Sequence, residues 1–501
     1  MNRDARPELM GIEMEMAVAD ALTGASHLVQ GYFDALAGIK RARGQCEPYW
    51  VGTSCAGLRT PVADCGLDNG FNLLETALAP VTTLDELARR AHQELADSVD
   101  ALAVEGACIL NASEHPACPV DTAWYDRACV PRPIYRELRG HRGWRHHEGI
   151  DAKAQNGANT GVAVMTAVQA LNVMIGLAPA FMALFANSPL EAGRETGLKE
   201  NRMTLWPRVF GPAHFAGDLF LATFPARPFR DLADFFNWMF GPHTVSRGLP
   251  INDASDYKNA PTVLLDGNPS LSQFLHAPSW SGQLSPSVSD AGAARAVLIR
   301  PGAHHFEYSQ IGQFLDARLR YRWARTPDLG ELLRAWKQEG ELEALFEACG
   351  AATYIEGRVP GAGFADAVVL REAGPEAALS MLIGPTALQR GLLSNIGQAQ
   401  ALLDAWGWQT LNALRCPAMR AALDDTQVAA LCADVVAVAR DGLPAADRRW
   451  LVCVEYMLDT RRTGADRLLA TWRSTSGDTR ARLAAVAREH AALHPSAYGG
   501  V

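Results

Sequence analysis

The first strongly patterned stretch of the chain is Leu9 to Asp20, in which polar and apolar residues alternate. Glu13 and Glu15 fall on one side of this alternation, and Met14 and Met16 fall on the other. Alternation with a period of two is typical of a β-strand that has one face against a core. The pattern therefore predicts a strand that presents two carboxylates on one face, about 6.5 to 7 Å apart along the chain.

The next patterned segments predict two further strands and a long helix. Asp68 to Pro80 predicts a short second strand. Thr83, with Glu86 three residues on, has the spacing of a capping box and predicts a helix start, and Gly106 ends that helix. Ala107 to Asn111, directly after this helix, is predicted to be a further strand. The predicted order is strand, strand, helix, strand.

An uncharged apolar stretch, Thr160 to Pro189, has two interpretations. Its length raises the question of a membrane span. Thr166, Gln169, Asn172 and Pro179 interrupt the stretch, and a buried strand followed by two core helices explains it as well. We favour the buried interpretation, with no membrane partner.

The second half of the chain differs from the first in pattern. Asn252 to Gly302 is rich in Pro, Gly and Ser and predicts a long excursion over the surface or into an active site. Glu331 to Gly350 predicts an amphipathic helix or helix pair, and the strand "ATYIEGRV" follows. From about residue 386 onward, apolar residues recur with the spacing of amphipathic helices. The predicted class is α+β, with an α+β part over 1–385 and a helical region over 386–501 packed on the same domain.

Composition narrows the function classes. The 501 residues carry a formal net charge of -9, which disfavours a general nucleic-acid binder because phosphate contacts need concentrated Lys and Arg. Arg136 to Gly149 is a local basic exception, interpreted either as a solvated loop or as a site for an anionic ligand. The ten cysteines include no C-x-x-C pair and no secretory leader precedes them, which predicts reduced thiols in a cytoplasmic protein.

Several predicted strands each carry a glutamate. Glu75 lies in "NLLETA" and Glu356 in "YIEGR", in addition to the pair Glu13 and Glu15. A solvent-facing strand side is the ordinary explanation for one E-x-E pair. Several strands that contribute glutamates to one sheet face would instead form a carboxylate-lined trough. Such a trough suits Mg²⁺, which prefers oxygen ligands.

An ordered set of phrases along nearly the whole chain resembles one family. The phrases are "GIEMEMAVADALTG", "ETALAP", "NASEHP", "ALFANSPLEAGRETGLKENR", "DARLRY", "YIEGR", "LQRGLLSNIGQAQALLDAW" and "RTGADRLLATW". They resemble the glutamate-cysteine ligase type 2 family, the ATP-dependent carboxylate-amine ligases of the glutamine synthetase-like superfamily. A single E-x-E is weak, whereas the ordered set is specific.

The resemblance implies a fold and a reaction. The fold is a curved antiparallel β-sheet trough of the glutamine synthetase-like catalytic type, backed by helices, which makes 1–385 the catalytic ligase domain. The trough would hold ATP and two or three Mg²⁺ ions. A carboxylate would attack the γ-phosphate of ATP to give an acyl phosphate, and an amine would displace phosphate to form an amide. The default substrates are L-glutamate and L-cysteine.

The resemblance also assigns ten residues to the site. They are the metal ligands Glu13, Glu15, Glu75 and Glu356, the catalytic arginines Arg202 and Arg358, the ATP-binding arginines Arg318 and Arg320, and the substrate residues Asn159 and His115. For any one arginine the alternative is a surface salt bridge, and for His115 it is a loop histidine satisfied by backbone groups. Trp206 and Trp323 are predicted to be core residues rather than adenine platforms.

Two departures from the family pattern concern the substrates. In "AQNGANTGVAV", Asn159 and Gly161 stand where many relatives carry histidines or a Ser-Gln-Asn pattern. An insert of about thirty residues separates "DARLRY" from "YIEGR" and is expected to reshape one wall of the pocket. The alternatives are therefore a ligase of specialised metabolism with another acid and amine pair, or a non-catalytic relative that binds a nucleotide or amino acid. The helical C-terminal region is a candidate homodimer contact.

Overall fold

The computed structural model describes residues 9–252, 258, 260–285 and 295–500. The strands are β1 Met10–Asp20, β2 Glu47–Val51, β3 Ser54–Arg59, β4 Ala63–Leu67, β5 Leu73–Leu78, β6 Ala107–Ile109, β7 Asn156–Val162, β8 Leu190–Glu191, β9 Arg194–Glu195, β10 Leu249–Pro250, β11 Thr262–Leu265, β12 Trp280–Leu284, β13 Arg295–Ile299, β14 Ala317–Arg322 and β15 Ala352–Gly357. The helices of the first 348 residues are α1 Tyr32–Arg41, α2 Leu84–Ala103, α3 Thr122–Ala128, α4 Pro133–Arg136, α5 Ala167–Gly176, α6 Ala178–Leu184, α7 Leu205–Phe210, α8 Ala216–Phe220, α9 Leu232–Phe240, α10 Leu271–Leu275, α11 Ala303–Tyr308, α12 Leu329–Ala335 and α13 Glu341–Ala348. The helices that follow are α14 Ala367–Ser380, α15 Gly384–Ser394, α16 Ile396–Trp406, α17 Trp408–Ala421, α18 Thr426–Gly442, α19 Val452–Thr460, α20 Gly464–Ser474 and α21 Thr479–His490.

A nine-stranded antiparallel sheet forms the centre of the molecule. Its order is β14-β15-β7-β1-β5-β4-β3-β2, and β6 pairs with the end of β1. Strands β10 to β13 form a separate four-stranded antiparallel sheet. The mixture of antiparallel sheet and many C-terminal helices confirms the α+β class.

The two faces of β1 have different surroundings. Met14 and Met16 are fully buried in the hydrophobic core. Helix α15 packs on this face, where the Gln389 carboxamide donates to the backbone oxygens of Ala158 and Ile355 at 3.0 Å each. The glutamates of β1 therefore point away from the helices. The proposed division at residue 385 stays a prediction.

The first part of the chain contains more elements than the pattern predicts. Strands β1, β5 and β6 and helix α2 match the predicted segments, and the Thr83 hydroxyl accepts a hydrogen bond from the Glu86 backbone N–H at 3.2 Å. The predicted order was nevertheless wrong, because α1 and the three strands β2, β3 and β4 lie between β1 and β5.

Strands also occur where we expected an excursion with little regular structure. Within Asn252 to Gly302, β11, β12 and β13 pair in the four-stranded sheet. Residues 253–257, 259 and 286–294 of that segment lie outside the described residues. The predicted helix pair after Glu331 corresponds to α12 and α13.

The apolar stretch Thr160 to Pro189 forms the end of β7 and the buried helices α5 and α6. In the described part of the chain, no single helix is long and apolar enough to cross a membrane. The segments Val164–Gly176 and Ala178–Leu184, bent by 48°, reach the length and composition of a span only as a pair.

The C-terminal helices and the basic segment also differ from expectation. The helical region predicted from about residue 386 onward consists of α15 to α21, and its first part, α15 and α16, is divided at Asn395. In the segment Arg136 to Gly149, Arg142 is buried and pairs with Asp218, and its Nε lies 3.0 Å from an Asp218 oxygen. The solvated-loop interpretation is therefore wrong for Arg142.

Candidate functional site

A cavity of about 220 Å³ opens on the glutamate face of the central sheet. Cross-strand register explains why distant residues meet there, since Glu15 pairs with Glu75, Glu13 with Gly157, and Glu356 with both Asn159 and Arg318. The lining residues are Glu13, Glu15, Asp68, Asn69, Glu75, Ile150, Lys153, Gln155, Arg202, Met203, Leu205, Trp206, Lys258, Phe314, Leu315, Asp316, Arg318, Arg320, Glu356 and Arg358.

One side of the cavity, here called the acidic end, consists of Glu13, Glu15, Asp68 and Glu75. The Glu15 carboxylate accepts a hydrogen bond from the Gln155 backbone N–H at 2.9 Å. Neither Glu13 nor Glu15 forms an ion pair with any residue that the structure describes. The positive charges that favour their ionised forms, Arg320 and Lys258 for Glu13 and Arg202 and Arg358 for Glu15, therefore act from beyond ion-pair distance.

Burial changes the acidity of the same two groups. Desolvation, together with the charges of Glu356 and Glu75, raises the pKa of Glu13 to about 7. Burial, with Asp68 and Glu75 as further causes, holds the pKa of Glu15 well above its ordinary value. A bound cation would relieve this cost because it stabilises the ionised form.

The opposite side, here called the basic end, consists of Glu356 with Arg318, Arg320 and Arg358. The Glu356 carboxylate lies 3.2 Å from Arg318 Nη1, 3.1 Å from Arg358 Nη1 and 3.7 Å from Arg320 Nε. Burial alone would raise the pKa of Glu356, but the three guanidinium groups lower it to about 2. Among the described residues, these three guanidinium groups surround one carboxylate, and such groups can donate charge-assisted hydrogen bonds to an anion.

Arg202 is held in place by the protein around it. Its Nε donates to Glu200 at 2.9 Å, and its terminal nitrogens donate to the backbone oxygens of Arg358 and Val359. Glu200 is fully buried and also accepts hydrogen bonds from Ser188 Oγ and two other groups. The guanidinium of Arg202 is thereby fixed at the rim of the basic end.

Aromatic residues form part of the wall. Trp206 lines the cavity, and the Arg358 guanidinium lies over its ring at 5.6 Å from the centroid. Phe314 packs against Trp206 with 5.2 Å between ring centroids. The prediction that Trp206 belongs only to the core was wrong, whereas Trp323 is buried among Phe306, Tyr321 and other rings, as expected.

The sequence can now be compared with known families and structures. The model of glutamate-cysteine ligase family 2 matches residues 9–233. This match covers 225 of the 501 residues, somewhat less than half of the chain. The matched region contains β1, β5 and β7 and all four carboxylates of the acidic end.

Two solved structures are similar to the chain at low identity. A glutamate-cysteine ligase from Francisella tularensis in complex with AMP is 13% identical, with a TM-score of 0.46, covering 97% of this chain and 89% of that one. A bifunctional glutathione synthetase from Pasteurella multocida is 11% identical, with a TM-score of 0.43, covering 96% of this chain and 52% of that one. The chain thus spans about half of the second protein. No curated protein matches the chain.

Eight of the ten residues implied by the resemblance to glutamate-cysteine ligase family 2 line the cavity. They are Glu13, Glu15, Glu75, Arg202, Arg318, Arg320, Glu356 and Arg358. Asn159 is not a lining residue, but its carboxamide nitrogen lies 3.4 Å from a Glu13 oxygen, behind the acidic end. The roles of these residues stay predictions.

His115 lies outside the residues that line the cavity. It is fully buried, its Nδ1 accepts a hydrogen bond from the Ala117 backbone N–H at 3.2 Å, and burial lowers its pKa to about 4. This environment fits the alternative of a loop histidine satisfied by backbone groups. A substrate-binding role for His115 has no support in this geometry.

Several lining residues were not predicted. Asp68 and Asn69 follow β4, Lys258 comes from the segment expected to be an excursion, and Lys153 and Asp316 come from loops beside the sheet. The only signal for Lys258 was the suggestion that its segment enters an active site. Asp68 was the first residue of the segment predicted as the second strand, but the strand itself begins at Leu73, so the pattern gave Asp68 no place on a sheet face.

The two departures from the family pattern have structural consequences. A side chain at Gly161 would meet the Leu9 backbone oxygen at 3.1 Å, so this glycine makes room for the chain itself. None of residues 322–353, which include α12 and α13, is among the lining residues of the described cavity. The expectation that the insert reshapes a wall was therefore wrong.

The donor set was tested against the implied Mg²⁺. Within the described ranges, no group of three or more His, Cys, Asp or Glu side chains is close enough to hold a metal ion. Glu13 and Glu15 nevertheless fit a hard cation, because they are half-buried carboxylates that form no ion pair with those residues, and Asn69 adds a buried oxygen without a hydrogen-bond partner. Glu356 fits less well, because it is already paired with arginines.

Proposed function

We propose that the protein is an ATP- and Mg²⁺-dependent ligase that joins a carboxylate to an amine through an acyl phosphate. The match of residues 9–233 to the model of glutamate-cysteine ligase family 2 supports the coarse class, a carboxylate-amine ligase. The observation that carries the proposal is one cavity in which four carboxylates lie at one end and Arg318, Arg320 and Arg358 lie around Glu356 at the other. All lining residues fall between Glu13 and Arg358, which supports 1–385 as the catalytic region.

The basic end supplies what the first step needs. A substrate carboxylate and the γ-phosphate of ATP are both anions, and they repel unless cations neutralise them. Arg318, Arg320 and Arg358 can donate charge-assisted hydrogen bonds to phosphate oxygens or to a carboxylate. Arg202 already has a fixed orientation, so its remaining N–H groups reach an anion with little loss of side-chain entropy.

The acidic end supplies the metal site. Glu13 and Glu15 would hold Mg²⁺ together with phosphate oxygens of ATP, since Mg²⁺ is commonly bound through one or two carboxylates plus substrate phosphates. Glu75 and Glu356, the other two predicted ligands, would have to exchange their present cationic partners first. When bound, Mg²⁺ neutralises phosphate charge and favours departure of ADP. Trp206 and Phe314 shield one side of the cavity, which limits hydrolysis of the acyl phosphate by water.

The default substrates are L-glutamate and L-cysteine, which would give γ-glutamylcysteine. One observation favours another acid and amine pair, namely Asn159 beside Glu13 in place of the histidines that the family pattern predicts. All ten cysteines are free thiols, which supports a reducing, cytoplasmic location.

A phosphate-release screen tests the proposal. Amino acids are offered in pairs with ATP and Mg²⁺, and products are identified by mass. A ligase releases phosphate only when the correct acid and amine are both present, and it forms an equimolar amide. Nucleotide binding without phosphate release from any pair would contradict the proposal and favour a non-catalytic relative.

A further inference from the structure

The acidic end already contains one positive charge supplied by the protein. Lys258 Nζ lies 3.0 Å from Glu75 Oε2 and 3.5 Å from Asp68 Oδ1. These two carboxylates come from β5 and from the loop before it, whereas Lys258 is 183 residues further along the chain than Glu75. The Lys258 side chain is 23% exposed, so the pair is largely withdrawn from water.

The lysine divides the acidic end into two halves. Glu75 and Asp68 form ion pairs with Lys258, whereas Glu13 and Glu15 form no ion pair among the described residues. Glu15 and Glu75 are directly opposite each other on neighbouring strands, so their side chains share one patch of the sheet. A divalent ion that bridges Glu15 and Glu75 would therefore stand next to the Lys258 ammonium.

A divalent cation and the Lys258 ammonium would repel each other there, and both would compete for the Glu75 carboxylate oxygens. For Glu75 to bind a metal, the Lys258 ammonium must move away from it. This movement breaks the ion pairs of Lys258 with Glu75 and Asp68. Lysine suits such an exchange, because its ammonium is a point charge on a flexible four-carbon stem. An arginine would hold the carboxylates with a rigid fork instead.

We propose that Lys258 is an internal competitor of Mg²⁺, which occupies the Asp68 and Glu75 carboxylates until the metal replaces it. The competition weakens the binding of free Mg²⁺ to the empty cavity. The metal then enters mainly together with ATP, whose phosphates supply the additional negative charge. This inference rests on the proposed function, because it assumes that the acidic end binds the metal of the ligase.

Metal titration without nucleotide tests the inference. Mn²⁺ serves as the probe, and the electron paramagnetic resonance signal of the free ion reports binding to the full chain. We expect Lys258→Met to bind Mn²⁺ about five-fold more tightly than wild type, since one competing charge is removed. Lys258→Arg keeps the charge and should not show this gain.

A matched control removes a lysine elsewhere. Lys337 is exposed and lies outside the cavity lining, so Lys337→Met should bind Mn²⁺ as wild type does. Circular dichroism establishes that each variant is folded, and Lys258→Gln replaces Lys258→Met if the latter does not fold. Unchanged or weaker binding in both neutral variants would overturn the inference.

The outcomes separate this inference from the proposed function. If wild type and Lys258→Met bind Mn²⁺ equally, the role of Lys258 is wrong and the ligase proposal stands. If neither protein takes up Mn²⁺ with or without ATP, the acidic end is not a metal site and both proposals fail. If Lys258→Met binds Mn²⁺ more tightly than wild type while Lys258→Arg and Lys337→Met do not, the result supports both the role of Lys258 and the metal site of the proposed ligase.

Discussion

The acidic and basic ends of the cavity differ in how completely the protein neutralises its own charge. At the basic end, Glu356 is surrounded by Arg318, Arg320 and Arg358, so its pKa falls to about 2 and it remains ionised. At the acidic end, Glu13 is half-buried and lies near other carboxylates, and its pKa rises to about 7. The basic end is therefore organised before substrates arrive, whereas the acidic end needs a cation from solution.

Removal of one acidic-end carboxylate should have the largest effect. Glu13→Gln keeps the shape of the side chain and removes the charge that a metal needs. We expect turnover to fall by about 10² to 10³-fold, with the variant folded, in the coupled phosphate-release assay. Glu47→Gln, on the exposed edge strand β2, is the control and should retain wild-type rates. Wild-type turnover in Glu13→Gln would contradict the metal assignment.

Removal of one guanidinium from the basic end should act mainly on binding. Arg358→Ala leaves Glu356 with two arginine partners and removes the cation over Trp206. We expect the KM for ATP or for the acid substrate to rise more than about ten-fold in steady-state kinetics. Arg371→Ala, which alters an exposed arginine, provides the control. Unchanged kinetics would remove Arg358 from the site.

The buried Glu200 is expected to position Arg202. Glu200→Gln keeps two hydrogen-bonding atoms but loses the charge that holds the Arg202 guanidinium at 2.9 Å. We expect kcat/KM to fall about ten-fold, while Mn²⁺ affinity at the acidic end is unchanged. The control is Glu195→Gln, which removes a glutamate that pairs with the exposed Arg473. It should change neither kcat/KM nor the affinity for Mn²⁺. Equal losses of metal affinity and kcat/KM would indicate a general structural defect instead.

The acidic end should also make the metal-free protein sensitive to pH. The folded pKa of Glu13 is raised, so its contribution to stability is present below about 4.5 and is lost as the pH rises through about 7. From pH 5.5 to 8, the unfolding free energy of wild type should fall relative to that of Glu13→Gln by on the order of 1 to 2 kcal/mol. Urea denaturation in a chelator measures the difference, and parallel pH profiles would contradict the assigned pKa.

The smallest effect is expected at the aromatic wall. Trp206→Phe keeps a ring below Arg358 but weakens the cation–π contact, which is worth about 0.5 to 1 kcal/mol. We expect the KM of the ligand bound by Arg358 to rise about two- to five-fold. Trp50→Phe changes an exposed tryptophan on β2 and serves as the control. A much larger loss would mean that Trp206 contacts a substrate directly.

Elements with strong local patterns could be predicted from the sequence. The alternation of polar and apolar residues predicts β1, and the capping box with its following amphipathic pattern predicts α2, each to within a few residues. Strands β3 and β4 could not be predicted in this way. Their sequences, "SCAGLR" and "ADCGL", contain glycines at positions where an apolar or polar side chain would be needed to reveal the alternation. The structure explains Gly57 and Gly66, since the Tyr49 ring lies where their side chains would be.

The candidate site was predictable where it lies on strands and not where it depends on long-range contacts. The four glutamates and four arginines lie on or beside segments that the family phrases mark. Asp68 and Lys258 belong to loops, and their proximity results from contacts across 190 residues that no local pattern encodes. Trp206 was assigned to the core because an aromatic residue at a helix start usually packs there, and it does pack against Phe210 as well as line the cavity.

The most direct test of the two-ended cavity is calorimetric titration of Mg²⁺ with a non-hydrolysable ATP analogue. Wild type should bind the complex, and binding should depend on Mg²⁺. The double variant Glu13→Gln, Glu15→Gln should lose the Mg²⁺ dependence, while residual binding of the analogue through the basic end remains. No uptake by wild type, or the same Mg²⁺-dependent uptake by the double variant, would contradict the account.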